Sequence, residues 1–230
     1  NSCTFHGDGS SSYCIGTCMK KLTIIHTTVA TVLSMPSMIQ KMYPDQFEIV
    51  NVLDDSMLNE IKAKGDLTKE VTERFVQYAV IAKNNGSDAI LLACSSIGRA
   101  GDIARNILDI PLFKIDEPMA EEAVKSAEKI LILGTVKSTL RPTTELIESK
   151  KKTGQIIESM WIPNVFELYT ENKAEHDRRI AEMIGQHQAE YDVVVLAQAS
   201  MSGAADWVTK KKAQILTSLP MGLYQLKKII

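Results

Sequence analysis

The chain has 230 residues, enough for one large domain or two small ones and for a substantial buried core. Hydrophobic residues make up 45% and charged residues 23%, a globular balance that excludes disordered and fibrous classes. The formal net charge of -2 excludes a general nucleic-acid binder, and no run approaches the ~18 apolar residues of a membrane span.

The first 18 residues are rich in Ser and Gly and carry Cys3, Cys14 and Cys18. With His6 these cysteines lack the second matched pair of a standard zinc site, so no metal is expected. Met19 followed by Lys-Lys-Leu-Thr-Ile-Ile reads as a natural start, and residues 1–18 are expected to be a non-native extension. The start has no basic segment followed by an apolar one, so a cytoplasmic protein away from membranes is expected. Beyond the extension the only cysteine is Cys94, which fits a reducing compartment.

Apolar runs of strand length follow at 22–25, 47–52, 89–92, 130–133 and 193–196, each succeeded by apolar residues at spacings of three and four. Strands alternating with helices predict βαβ units and a mainly parallel sheet, hence an α/β fold. The basic run at 210–212 reads as a solvated helix face.

The second half echoes the first. Lys21-Leu-Thr-Ile-Ile-His-Thr-Thr aligns with Lys129-Ile-Leu-Ile-Leu-Gly-Thr-Val, which sets Thr27 against Thr135. Asp88-Ala-Ile-Leu-Leu-Ala-Cys-Ser-Ser aligns with Asp192-Val-Val-Val-Leu-Ala-Gln-Ala-Ser, which sets Cys94 against Gln198. A fainter third match places Pro118 opposite Pro220. Hydrophobic runs alone recur in any βαβ protein, but shared polar punctuation in the same order predicts two pseudo-symmetric lobes with a cleft between them. The third match leaves two topologies open: the C-terminus completes lobe two, or it crosses back to lobe one.

Ligands of parallel sheets bind beyond the carboxyl ends of the strands. There the turns at Thr27-Thr28 and Gly134-Thr135 offer hydroxyls and backbone N–H groups to an anion, with ordinary helix capping as the competing explanation. Cys94 follows a strand and precedes Ser95-Ser96 at the start of a helix, a setting that favours a thiolate; a buried structural cysteine is the alternative. A Cys–His pair would need His26, the only histidine at a strand end. Asp116 and Glu117 belong either to the rim of the site or to a solvated turn before Pro118.

The segments Ile25-His-Thr-Thr, Leu92-Ala-Cys-Ser-Ser, Ile115-Asp-Glu-Pro-Met, Leu133-Gly-Thr and Leu196-Ala-Gln-Ala-Ser-Met resemble the cofactor-independent aspartate/glutamate racemase family. The resemblance covers residues 20–230. It implies two α/β lobes, residues 19–113 plus 209–230 as lobe one and 114–208 as lobe two. It also implies a homodimer or higher homo-oligomer, a small carboxylate substrate and no cofactor. By this resemblance Cys94 and Gln198 are the catalytic positions, and Thr27, Thr28, Ser95, Ser96, Thr135, Ala199 and Ser200 hold the substrate.

Racemases of the family use two cysteines on opposite faces of the substrate carbon, and Gln198 stands where the second would be. An amide neither gives nor takes a proton near neutral pH, though it hydrogen-bonds a carboxylate or enolate oxygen. Three routes therefore stay open. Ser200, His26 or a water serves the second face; Cys94 alone moves one proton, as in decarboxylation; or the thiol adds to an unsaturated diacid. A non-catalytic binder of small carboxylates and a flavodoxin-like module are the readings from other classes.

Overall fold

The computed structural model describes residues 19–230; the readings made on Cys3, His6, Cys14 and Cys18 lie outside them. Two four-stranded sheets form, both wholly parallel. The first contains β1 (Lys20–His26), β2 (Phe47–Leu53), β3 (Ala89–Leu92) and β4 (Leu112–Lys114), in the order β2-β1-β3-β4. The second contains β5 (Lys129–Gly134), β6 (Ile156–Trp161), β7 (Val193–Leu196) and β8 (Gln214–Thr217), in the order β6-β5-β7-β8. The repeat seen in the sequence is thus a repeat of topology.

Central strands of parallel sheets are covered on both faces and read as continuous apolar runs. Leu22, Ile24 and Leu91 face Met35 and Ile39 of α1 (Val29–Met42). On the opposite face Ile25, Ile90 and Leu92 pack on Val71, Phe75 and Ala79 of α3 (Lys69–Asn84), which α2 (Asp55–Lys64) precedes. In the second sheet, Leu131, Leu133, Val194 and Leu196 pack on Ile180 and Ile184 of α8 (Lys173–His187). Each such fully buried aliphatic side chain contributes roughly 1.5–3 kcal/mol.

Two helices exchange lobes. After β4 the chain enters α5 (Glu117–Ser126), whose Met119, Ala120 and Ala123 bury against Ile130 and Val193 of the second sheet. After β8 it enters α9 (Ser218–Tyr224), whose Leu219 and Leu223 bury against Leu22 and Leu91 of the first. Both topologies left open by the third sequence match therefore occur in succession. The expected boundary at 209 moves to 218, because β8 pairs with β7 and Leu216 buries in the second core. Likewise Lys114 ends β4 in the first sheet. The basic run at 210–212 is exposed, as read, but is irregular chain before β8 rather than helix.

The crossovers touch. Gly222 of α9 lies on the Ile115 carbonyl, which a β-carbon at 222 would overlap. Backbone cannot yield as a flexible side chain does, so Gly222→Ala is expected to lower stability by about 2–3 kcal/mol in urea denaturation; an unchanged midpoint would contradict this packing.

Candidate active site

In both sheets the strand order reverses between the first and third strands, and a crevice opens at such a switch point. Pairing of Ile25 with Leu92 sets Thr27 level with Cys94, and pairing of Leu133 with Leu196 sets Thr135 level with Gln198. The carboxyl ends of the two sheets face a common cleft of about 540 Å³. Thr27, Thr28, Cys94, Ser95 and Ser96 line it from lobe one, and Gln198, Ala199 and Ser200 from lobe two.

Thr135 is the exception among the expected substrate-binding residues. It lies behind Gln198, whose Oε1 accepts from the Thr135 amide (2.7 Å), the Thr135 hydroxyl (3.1 Å) and the Val136 amide (3.1 Å). Two backbone N–H groups require an acceptor, which fixes the amide's orientation and leaves Nε2, a donor, as its free end.

In lobe one the corresponding turn keeps its donors. Thr28 is the N-cap of α1 by position, yet its side chain makes no cap bond, and Thr28, Val29 and Ala30 all line the cleft. Capping therefore does not consume Thr28, and the positive end of a 14-residue helix meets the cavity. Ser96 Oγ is buried without a hydrogen-bond partner among the described residues, although Ser96 lines the cleft.

Cys94 is half-buried and heads a 3-10 turn, Ser95–Ile97, that leads into α4 (Gly98–Arg105). Burial pushes its thiol above the ordinary value, and the negative charge of Asp116 acts the same way. Hydrogen bonds from the Thr27 hydroxyl and the Ser96 and Ile97 amides oppose this without overcoming it. The resting group is thus a thiol, whereas helix-start donors alone suggested a thiolate.

His26 does not face the cleft. Its ring is fully buried, with Nδ1 2.8 Å from Thr31 Oγ1 and Nε2 3.0 Å from Asn51 Oδ1, and burial lowers its pKa. Both nitrogens are occupied, which removes it as a source of protons to the second face. Asp116 and Glu117 are neither rim nor solvated turn. They line a separate cavity of about 340 Å³ behind Ser95, where Glu117 takes two hydrogen bonds from Arg105 (3.2 and 2.6 Å).

Several cleft residues had no sequence signal. Lys62 at the end of α2 lies 4.1 Å from the Phe166 ring centroid, spanning the mouth from lobe one to lobe two. It is the only cation among the residues that line the cleft. Tyr169 and Glu171 come from α7 (Leu168–Glu171), a single turn lacking any motif.

A parallel two-lobed α/β fold with a thiol at one switch point and an amide at its counterpart defines a class of cleft enzyme. The chain matches the Asp/Glu/Hydantoin racemase family over residues 22–223 and belongs to that family, as a racemase-type isomerase. No curated protein matches it. Solved structures share the fold. Glutamate racemase isoform RacE1 from Bacillus anthracis is 19% identical at a TM-score of 0.68, covering 91% of this chain and 81% of that one. PH1733, an aspartate racemase homologue from Pyrococcus horikoshii, is 16% identical at 0.65 over 91% and 98%. Allantoin racemase from Klebsiella pneumoniae is 14% identical at 0.66 over 91% and 86%.

Gln198→Ala would strip the acceptor from buried donors at the β5–α6 turn, α6 being Lys137–Glu148. The expected loss is about 1–3 kcal/mol in urea unfolding, with Gln198→Glu retaining most of the stability because it keeps an acceptor. Equal midpoints for wild type and Gln198→Ala would contradict the bonding.

Proposed function

We propose that the protein is a cofactor-independent isomerase acting at the carbon next to a carboxylate, with Cys94 as its acid/base. The observation that carries this reading is the equivalence of Cys94 and Gln198 at the two switch points of one cleft, a proton carrier facing a hydrogen-bond donor.

The substrate carboxylate sits at the open start of α1, with Thr27, Thr28 and Ser96 as partners. Removal of the neighbouring proton pushes charge onto the carboxylate oxygens. Gln198 Nε2 and the amides near Ala199 and Ser200 are the donors suited to hold that charge. Cys94 takes the proton on its own face, and racemisation is completed by a proton from the Ser200 hydroxyl or a water on the other.

The raised thiol favours a second reading. Each unit of increase removes about tenfold of the thiolate at a given pH, so a resting Cys94 is better suited to donate than to abstract. Single-face protonation after loss of CO₂ from a malonate-type acid uses that state directly. Addition of the thiol to a cis-unsaturated diacid is the corresponding covalent route. A cytoplasmic location, expected from the sequence, and assembly as a homodimer or higher homo-oligomer, implied by the family resemblance, belong to the reading as well.

Incubation with aspartate, glutamate, hydantoins, maleate and arylmalonates in deuterated water, followed by NMR and chiral chromatography, tests the proposal. Deuterium at the carbon next to the carboxylate, or conversion, is expected with at least one of them. Cys94→Ala should reduce the rate by at least about 100-fold. Binding without exchange or conversion would instead make the protein a carboxylate-binding module.

A further inference from the structure

Five hydroxyls on the cleft wall already spend their protons on backbone carbonyls. Thr31 donates to Thr28 (3.0 Å), Ser34 to Ala30 (2.9 Å), Ser95 to Ala197 (3.4 Å), Thr139 to Val136 (2.7 Å) and Thr170 to Glu167 (3.2 Å). A hydroxyl has one proton to donate, so none of the five has one left for an anion. The donors that remain surround the position proposed for the reacting carboxylate: Thr27, Thr28 and Ser96 at the start of α1, with Gln198 Nε2 and Ser200 opposite.

Charge works in the same direction. The charged residues lining the cleft are Lys62, Glu167 and Glu171, one cation against two carboxylates. Lys62 is exposed, and its ammonium lies over the Phe166 ring at the mouth, 4.1 Å from the centroid. Tyr169 adds one neutral hydroxyl on α7, the turn that Glu167 caps and Glu171 ends. A second carboxylate on the substrate would lose its water and meet a net negative wall, with no buried cation to offset that cost.

Much of the remaining wall is apolar. Leu58 and Val136 are only 8% and 9% exposed, yet neither joins the apolar cores of the two lobes. Both line the cleft, as do Ile115 and Leu219 from the two crossovers and Phe166 from lobe two. Leu58 stands one helical turn before Lys62 on α2, so the apolar surface runs inward from the mouth. Such a wall is stabilised when an apolar ligand group replaces the water against it.

We propose that the substrate is an acid with an apolar side group, whose carboxylate sits at the α1 start and whose side group packs on Leu58 and Phe166. Acids whose side chain ends in a second carboxylate are disfavoured. The inference rests on the carboxylate position proposed above and adds the character of the second substituent.

NMR titration of the full chain with propionate, 3-phenylpropionate and glutarate tests this without turnover. 3-Phenylpropionate is expected to bind at least about tenfold more tightly than propionate, and glutarate no more tightly than propionate. Glutarate binding as tightly as 3-phenylpropionate, or no measurable binding of 3-phenylpropionate, overturns the proposal. Leu58→Ala should weaken 3-phenylpropionate by about tenfold and leave propionate unchanged, because it removes a contact to the ring and none to the carboxylate. A folded variant that moves both acids alike, or neither, overturns it equally. Should Leu58→Ala fail to fold, Phe166→Ala, at a partly buried position, is read in the same way. The expected selectivity together with no deuterium exchange on any acid would retain this inference and remove the isomerase reading.

Discussion

Three donors converge on Gln198 Oε1, and the character of the site depends on this bond set. Amides at the start of a helix after a β-strand attract anions. In lobe one the corresponding turn is open to the cleft, but in lobe two the glutamine oxygen fills it. The same geometry thus yields two unlike half-sites. One has an open helix start beside a thiol, and the other presents a neutral donor that cannot carry a proton. On the proposed function, the proton is handled from lobe one, with the amide of lobe two as a donor opposite it.

This asymmetry is built on a symmetric frame. Parallel sheets of identical strand order open their switch points at the same place in each lobe, and matching registers set Thr27 beside Cys94 and Thr135 beside Gln198. The exchanged helices α5 and α9 lock the frame, since each lobe's core is completed by a segment that enters from the other. Close approach of Gly222 to Ile115 holds the crossovers together immediately before Asp116.

Much of this was legible in the sequence. The central strands announced themselves because burial on both faces demands continuous apolar runs, and the polar residues after them marked the switch points in both halves. Edge strands were less uniformly legible, since the run at 47–52 marked β2 but no such run marked β4, β6 or β8. β6 carries Glu158 and Ser159, and one of its faces meets solvent, so it shows no apolar run. β8 was assigned to lobe one because the C-terminal crossover was placed nine residues early. The cleft thiol and its serines were evident from position, but the inward turn of Thr135 onto Gln198 depends on side-chain direction that spacing does not encode. Lys62 and Phe166 meet only because the lobes meet, and His26 looked available until the fold surrounded it with Thr31 and Asn51.

The central claim is that Gln198 occupies the second proton-transfer position and leaves it without a proton carrier. Gln198→Cys tests this most directly. A thiol there would stand at the counterpart of Cys94 and would supply a group able to give and take a proton, which the amide is not. With a substrate that exchanges in deuterated water, the variant is expected to raise the ratio of inverted product to total exchange by about tenfold or more, as two-face proton transfer replaces one. A folded variant whose ratio stays at the wild-type value would contradict the account, because position 198 would then not face the reacting carbon.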